Sequence, residues 1–490
     1  MGAGPAAAAV DTGPKPDFTL VLVNDIYRMG DVGGRGGFAR LAAIVKAERA
    51  RGVPMLFCHA GDTLSPSLMS GFDQGAHIIE LTNLIRPDIF VPGNHEFDFG
   101  RDVYFKRMAE ANFPFYGANM RQADGSPIPG MHDHALVRLG PVTIGLIGLA
   151  FADTPQKSQS GDLVFADELT VLRREAAALR AGGADMIMAV AHTDRAVDNA
   201  IVASRLVDVL LSGHDHDLAI SYDGKTVMVE SSEEGHFVTA IDFKVTVSGE
   251  DAARKVAWQP GFRVHDSATF EPDPDTQAVI ARLEAELSRE LDVEIGTTAV
   301  DLDSRTALVR TQETAIGNLV ADAIRVSTGA DAVVFNSGAI RANVRYAAGH
   351  RLTRRDILSE LPFGNTTVLV ALTGTQLLAL LEHGFATLEH ASGRFPQVAG
   401  LKITVDRKRP AGSRIVSVQV GDAPLDPKGT YEVAANNFMF SGGDDYGRFL
   451  KAGRVLVGLT DGSLIANAVM GEVRRLGTVT AAAEGRIVLL

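Results

Sequence analysis

Between residues 18 and about 245 the chain alternates short, apolar, β-rich runs with amphipathic helices, and five of those runs break off at an acid, an amide or a histidine. The runs are FTLVLVN, PMLFCHAGD, DIFVPGN, VTIGLIGLA, DMIMAVAH, VDVLLSGH and TVMVESS. Between the first two, Phe38, Leu41, Ala42 and Val45 recur at helical spacing on one face. Several runs are apolar on both faces, which predicts a sheet covered by helices on each side. Polar residues released at strand ends sit where open α/β sheets bind ligands. The chain has 490 residues, too many for one hydrophobic core.

The five exits carry Asp25 with Tyr27 two positions on, Asp62 in AGDTLS, Asn94 and His95 in GNHEFD, His192 in AHTD, and His214 and His216 in GHDH. A single aspartate in a loop is ordinarily solvated, and a single buried histidine is ordinarily a hydrogen-bonded core residue. Together they would leave several unpaired charges in one crevice, which is costly unless cations neutralise them. A carboxylate such as Asp62 can bridge two divalent ions about 3.5–4 Å apart. Asn94 adds a neutral oxygen that limits the negative charge. Mixed nitrogen and oxygen donors suit zinc, manganese or iron alike.

The series D-x-Y, G-D, G-N-H-E, H and G-H-x-H resembles that of the calcineurin-like metallophosphatases. GNHEFDFG and GDTLSPSL look like the 5′-nucleotidase branch of that family, whose motifs span nearly the whole chain. The resemblance implies an α/β protein of two domains. These are an N-terminal four-layered αββα metallophosphatase domain at residues 18–265 and a C-terminal α+β 5′-nucleotidase domain at 296–490. A leader at 1–17 precedes them, and a hinge with a linker helix at 266–295 joins them. The Pro/Asp-rich HDSATFEPDPDTQ and the helix-prone AVIARLEAELSRELDVEIG fit that joint. Residue by residue, the resemblance puts Asp25, Asp62 and His216 on one metal ion, and Asp62, Asn94, His192 and His214 on the other. His95, oriented by Asp98, would be the catalytic dyad that stabilises the transition state or protonates the leaving oxygen.

Tyr27 departs from the pattern, because it stands where the family has a histidine ligand. Three readings stay open: a phenolate ligand favouring a trivalent cation such as Fe(III), a hydrogen bond to a water filling the vacant position, or a side chain turned away. Neutral imidazole is the better zinc ligand at pH 7, since an unperturbed phenol has a pKa of about 10. The expectation is a hydrolytic site with altered metal preference, holding two divalent or mixed-valence ions.

In the second domain the opening helix, ETAIGNLVADAI, carries Ile316, Leu319, Val320, Ala323 and Ile324 on one face. Its polar clusters contain Arg310, Asn336, Arg341, Phe363, Asn365, Phe438 and Asp444. Taken singly these read as core, solvated arginine or turn residues. The resemblance gives them a joint role in binding substrate: Phe363 and Phe438 sandwich a base, Asp444 holds the ribose hydroxyls, Asn336 and Arg341 meet the nucleotide, and Arg310 contacts phosphate. Aromatic stacking is worth about 1–3 kcal/mol per base, and the guanidinium fork suits phosphate oxygens. The sequence reads NSGAIR where the family commonly has NGGGIR, so Ser337 and Ala339 add side chains where backbone approaches ligand.

The expected reaction is hydrolysis of nucleotide phosphomonoesters to nucleoside and phosphate. The rivals are 2′,3′-cyclic-nucleotide phosphodiesterase/3′-nucleotidase, UDP-sugar hydrolase, the family's thiosulfate-pathway hydrolase, and a non-enzymatic nucleotide sensor with a weakened metal site. A net charge of −13 with no Lys/Arg-rich run argues against a nucleic-acid polymer as partner. The one cysteine, Cys58, excludes an internal disulfide. No run reaches the roughly 20 apolar residues of a membrane span, and the start lacks a basic segment followed by an apolar one. The expected compartment is the cytoplasm, or the periplasm if an export signal has been removed. No sequence feature specifies an oligomeric state.

Overall fold

The computed structural model describes residues 15–249 and 254–490; residues 1–14, most of the expected leader, and 250–253 lie outside the described residues. The apolar runs of the first domain form two sheets, where periodicity alone suggested one. The first sheet has seven strands in the order Lys255–Asp266, Phe237–Ser248, Phe18–Val23, Met55–His59, Ile89–Phe90, Phe115–Tyr116 and Met131–His132. The second has six, in the order Leu218–Tyr222, Val227–Ser231, Val209–Ser212, Met186–Ala191, Val142–Leu149 and His134–Leu139. Their central strands run parallel, with antiparallel strands at both margins of the second sheet and at one margin of the first, whose other edge strand, Met131–His132, is parallel.

The sheets pack face to face. Leu20, Leu22, Cys58 and Val91 of the first share a core with Ile144, Leu146, Met188, Val190 and Leu211 of the second. The opposite faces are covered by helices. Phe38–Ala50 and Ala76–Ile85 lie over Val21, Val23 and Phe57, while Glu168–Ala181 and Arg195–Ser204 lie over Ile147, Ile187 and Ala189. Strands buried on both sides explain the continuous apolar runs, since one side meets the other sheet and one meets helices. This is a four-layered αββα domain.

The helix Pro274–Leu291 starts at Asp273, whose carboxylate accepts from the Thr276 amide at 3.0 Å. Its Ile280 and Leu283 are buried in the outer layer of the first domain beside Val21, Phe38 and Leu41. At its far end Arg354 pairs with Glu290 and Arg355 with Asp292, tying it to the second domain.

The second domain is built on a five-stranded sheet, Pro396–Ala399, Ala332–Asn336, Thr430–Asn436, Thr367–Thr373 and Arg454–Val457. The helices Ala315–Thr328 and Ile465–Leu476 cover one face through Ile316, Leu319, Val320 and Val469. The helix Gly374–Gly384, closed by a capping box from Thr373 and Gln376, covers the other through Leu377, Leu380 and Leu381. Among the described residues no helix is long and apolar enough to cross a membrane.

Candidate metal centre and second-domain pocket

Both sheets of the first domain deliver side chains to one cleft. Asp25, Asp62 and Asn94 follow strands of the first sheet; His192, His214 and His216 follow strands of the second. All but His216 are buried. The chain must turn sharply to aim them inward, and Asp25, Asp62, His214 and His216 adopt positive φ of 52°, 57°, 98° and 63°. Such backbone is rare for residues other than glycine and is retained where function over-determines it. Two glycines leave the room: a Cβ on Gly93 would lie 2.1 Å from Asp62 Oδ1, and one on Gly213 would lie 2.9 Å from Asp25 Oδ2.

The ligand-type atoms of Asp62, His192 and His214 all lie within 4.8 Å of one another. His192 Nδ1 donates to the Ala60 carbonyl at 2.7 Å, which turns Nε2 toward Asp62 Oδ2, 3.0 Å away. Asp62 Oδ1 accepts from the His95 amide at 2.8 Å. His214 Nδ1 and both side-chain atoms of Asn94 are buried without a hydrogen-bond partner, and Asp62 Oδ2 and His192 Nε2 have only each other. Each orphaned group costs about 1–3 kcal/mol, so this cluster is poor as a core and well suited to a cation. Nitrogen and oxygen donors with one carboxylate fit a divalent ion. Burial holds the His214 pKa down to about 4, so that imidazole is neutral and available. Burial works against a charged His192, yet the Asp62 carboxylate pushes its pKa up to about 9.

The second position is arranged differently. Asp25 Oδ2 accepts from the Asn24 amide group at 2.7 Å and the His214 backbone at 2.9 Å. The Tyr27 hydroxyl lies 3.1 Å from Asp25 Oδ1 and 3.1 Å from His216 Nε2, and His216 Nδ1 faces Glu233 at 2.9 Å. Tyr27 therefore points into the cleft and occupies the atoms that Asp25 and His216 would offer an ion, so the reading in which it turns away does not hold. Burial, then the carboxylates of Asp25, Asp62 and Glu234, hold its phenol well above the usual range. It stays protonated and donates to Asp25.

His95 Nδ1 meets Asp98 Oδ2 at 2.7 Å, and Asp98 Oδ1 accepts from the Ser158 hydroxyl at 2.7 Å. Burial opposes a charged His95, but Asp98 and Asp62 raise its pKa to about 10. This is a histidine able to give a proton.

In the second domain Arg310, Asn336, Arg341, Phe363, Asn365, Phe438 and Asp444 all line one cavity of about 580 Å³. Phe363 is 57% exposed and Phe438 47%, so both rings are open to stacking. The Arg341 guanidinium lies 5.2 Å from the Phe363 ring centroid. Asn336 donates to Asp444 at 2.8 Å and accepts from Asn436 at 2.8 Å, fixing the acid at the cavity wall. A second cavity of about 670 Å³ lies between the domains, lined by Tyr27, His95 and His216 on one side and Pro362, Gly364 and Thr460 on the other. Asn437 borders both cavities.

Sequence reasoning assigned no role to several residues here. The Glu96 carboxylate accepts from the amides of Asp62, Thr63, Leu64 and Gly93 and so shapes the turn that aims Asp62. Its place in GNHE was a usable signal. Glu234 accepts from the Tyr27 and Arg28 amides. Thr460 and Asp461 of the second domain enter the metal cleft from an unremarkable loop sequence, GLTDGS.

Comparison with known proteins agrees with this architecture. The calcineurin-like phosphoesterase family matches residues 18–218, and the 5′-nucleotidase C-terminal domain family matches 294–451. Protein 5NUC of Lutzomyia longipalpis is 30% identical over 507 residues, covering 93% of this chain and 87% of that protein. The structure of a 5′-nucleotidase precursor from Thermus thermophilus is 28% identical with a TM-score of 0.55, covering 96% of this chain and 99% of that one. The Haemophilus influenzae NAD nucleotidase shares the fold at a TM-score of 0.82 and 19% identity, covering 96% and 98% of the two chains. With its metallophosphatase domain, its second domain and this similarity along nearly its whole length, the chain belongs to the 5′-nucleotidase family of metal-dependent phosphoester hydrolases.

Proposed function

We propose that this protein hydrolyses nucleoside 5′-monophosphates to nucleoside and orthophosphate at a site of two metal ions. The observation that carries the reading is the buried convergence of donor atoms on Asp62, His192 and His214, with those of Asn94 and His214 left unpartnered, in a cleft shared with a second domain that holds an aromatic, arginine-lined cavity. Asp62, Asn94, His192 and His214 would hold one ion; Asp25, Asp62 and His216 the other, with Tyr27 beside it. Zinc, manganese and iron all suit these donors. When bound, the ions supply an acidified water for in-line attack and positive charge on the phosphoryl oxygens.

The chain's own groups do the rest. Phe363 and Phe438 stack the base, Asp444 accepts from the ribose hydroxyls, and Asn365 borders the same cavity. Arg310 and Arg341, with Asn336, direct the phosphate end of the nucleotide toward the first domain. His95, charged and oriented by Asp98, gives its Nε2 proton to the leaving nucleoside oxygen. Stacking is tolerant of base identity, so the pocket selects a nucleoside more than a particular base.

Phosphate release should be measured from AMP, cyclic AMP, UDP-glucose and bis-p-nitrophenyl phosphate, with and without chelator, after reloading with zinc, manganese or iron. The expected result is chelator-sensitive release from AMP above the other substrates. Nucleotide binding without release under every metal would overturn the assignment in favour of a sensor.

A further inference from the structure

The segment 458–462 of the second domain is inserted into the metal cleft. The Thr460 carbonyl accepts from His95 Nε2 at 2.5 Å, so the proposed proton donor is capped. Next to it Asp461 is buried, with its side chain 3% exposed. Its Oδ2 accepts from Lys157 Nζ at 2.7 Å and from the Gly458 amide at 2.8 Å. Its Oδ1 has no hydrogen-bond partner and lies 3.6 Å from His214 Nε2. A buried carboxylate oxygen left without a partner, beside a cluster of orphaned ligand atoms on the other domain, is a costly arrangement unless it serves a ligand shared with that cluster.

The segment cannot withdraw by itself. The Ser463 carbonyl accepts from the Thr367 amide at 3.0 Å, and Leu464 bridges to Thr366. A Cβ on Gly462 would lie 1.9 Å from the Thr367 carbonyl oxygen, so the backbone is pressed against the strand Thr367–Thr373. The same sheet carries the base-stacking cavity through Asn365 and Phe438. Loop and cavity therefore move together.

We propose that Asp461 is an intramolecular competitor for the phosphoryl group. Its carboxylate stands at the metal cleft in this arrangement and leaves when a phosphate-type anion enters. An anionic carboxylate oxygen offers the cleft what a phosphoryl oxygen would offer, and Thr460 withholds the His95 proton while the cleft is so filled. Because the second domain carries both the plug and the nucleoside cavity, bringing a nucleotide to the cleft and removing Asp461 are one movement. This inference rests on the metal-site reading above.

The test is orthophosphate binding to the manganese-loaded, full-length protein by isothermal titration calorimetry, comparing wild type with Asp461→Asn. The asparagine keeps the shape and the Gly458 contact but removes the competing charge. The expected result is tighter orthophosphate binding by the variant, by about tenfold, within the range usual for coupled equilibria. Unchanged or weaker binding overturns the proposal. A second measurement needs no variant: saturating orthophosphate should change the small-angle X-ray scattering profile of the manganese-loaded wild type, and an unchanged profile overturns the proposal. A wild type that neither binds orthophosphate nor releases phosphate from any nucleotide would instead overturn the metal-site reading. A wild type that does both, with the variant no tighter, removes the plug alone.

Discussion

Tyr27→His should convert two unequal metal positions into two similar ones. In the structure the Tyr27 hydroxyl sits 3.1 Å from both Asp25 Oδ1 and His216 Nε2, so an ion entering there must first take both groups from the phenol. A hydrogen bond to a charged group is worth about 1.5–3 kcal/mol net. At 1.4 kcal/mol per tenfold, that bond alone weakens the ion at this position by roughly 10- to 150-fold. At the neighbouring position the only close contact among the ligand-type atoms, Asp62 Oδ2 to His192 Nε2 at 3.0 Å, joins two groups that would bind the same ion, and no outside hydroxyl competes for them, while His214 Nδ1 is unpartnered. The assay is equilibrium dialysis against buffered free manganese or zinc, followed by mass-spectrometric metal counting per chain. Wild type should fill one position at low free metal and the second only at a concentration at least about ten times higher. Tyr27→Phe should narrow that gap by removing the hydroxyl, and Tyr27→His should narrow it further by adding an imidazole. If both variants load the second ion at the wild-type concentration, the competition argument is wrong. If Tyr27→Phe loads it more weakly, the hydroxyl is itself a ligand.

Further predictions concern the other groups. Phe438→Ala should lower kcat/KM for AMP by about 5- to 150-fold, the loss of one stacking face worth roughly 1–3 kcal/mol, while leaving p-nitrophenyl phosphate hydrolysis nearly untouched; equal losses on both refute the aromatic clamp. Asp98→Asn should lower kcat for AMP by about 10²-fold, the lower end of the effect of general acid catalysis, with a smaller loss for the better leaving group of p-nitrophenyl phosphate; a uniform loss would mean Asp98 only supports the fold. Acid stability should depend on the network in which Arg263 bridges Glu48 and Asp242. Burial would raise the Asp242 pKa, but hydrogen bonds from Arg263, Arg51 and Thr19 bring it down to about 2. A carboxylate depressed in the folded state stabilises above its unfolded value near 4 and loses that contribution as pH falls toward 2. Arg263→Met should therefore raise the acid-unfolding midpoint, followed by emission of Trp258, the sole tryptophan, packed 5.6 Å from Phe243; an unmoved midpoint refutes the linkage.

What could be read from the chain differs from residue to residue for physical reasons. The exits at Asp25, Asp62, Asn94, His192, His214 and His216 stood out because a polar side chain ending an apolar strand breaks a period that is otherwise continuous. The division into two sheets was expected from the family resemblance but not legible in the periodicity, since Leu22 and Leu146 look alike whether a strand meets a helix or another sheet. The direction of Tyr27 was open because D-x-Y spacing sets the strand exit but not the rotamer; the Glu234 carboxylate on its amide and the Asp25 oxygen decide it. The cavity from Arg310 to Asp444 gathers residues 134 positions apart, so only the joint motif could group them. Asp461 had no signal at all, because GLTDGS is ordinary turn composition and its partners Lys157 and His214 lie some 300 and 250 residues earlier.

The helix Pro274–Leu291 is fastened to the first domain by Ile280 and Leu283, and only Asp292 and Val293 separate its end from the strand Glu294–Thr298 that begins the second domain. These two residues form a short axle, too brief to lengthen. If the domains turn against each other, a joint this short would let them swivel but not slide apart, and surfaces close to it would stay close. The ion pairs of Arg354 and Arg355 sit beside this pivot, so their replacement should alter how freely the two halves turn while leaving each half's own architecture alone.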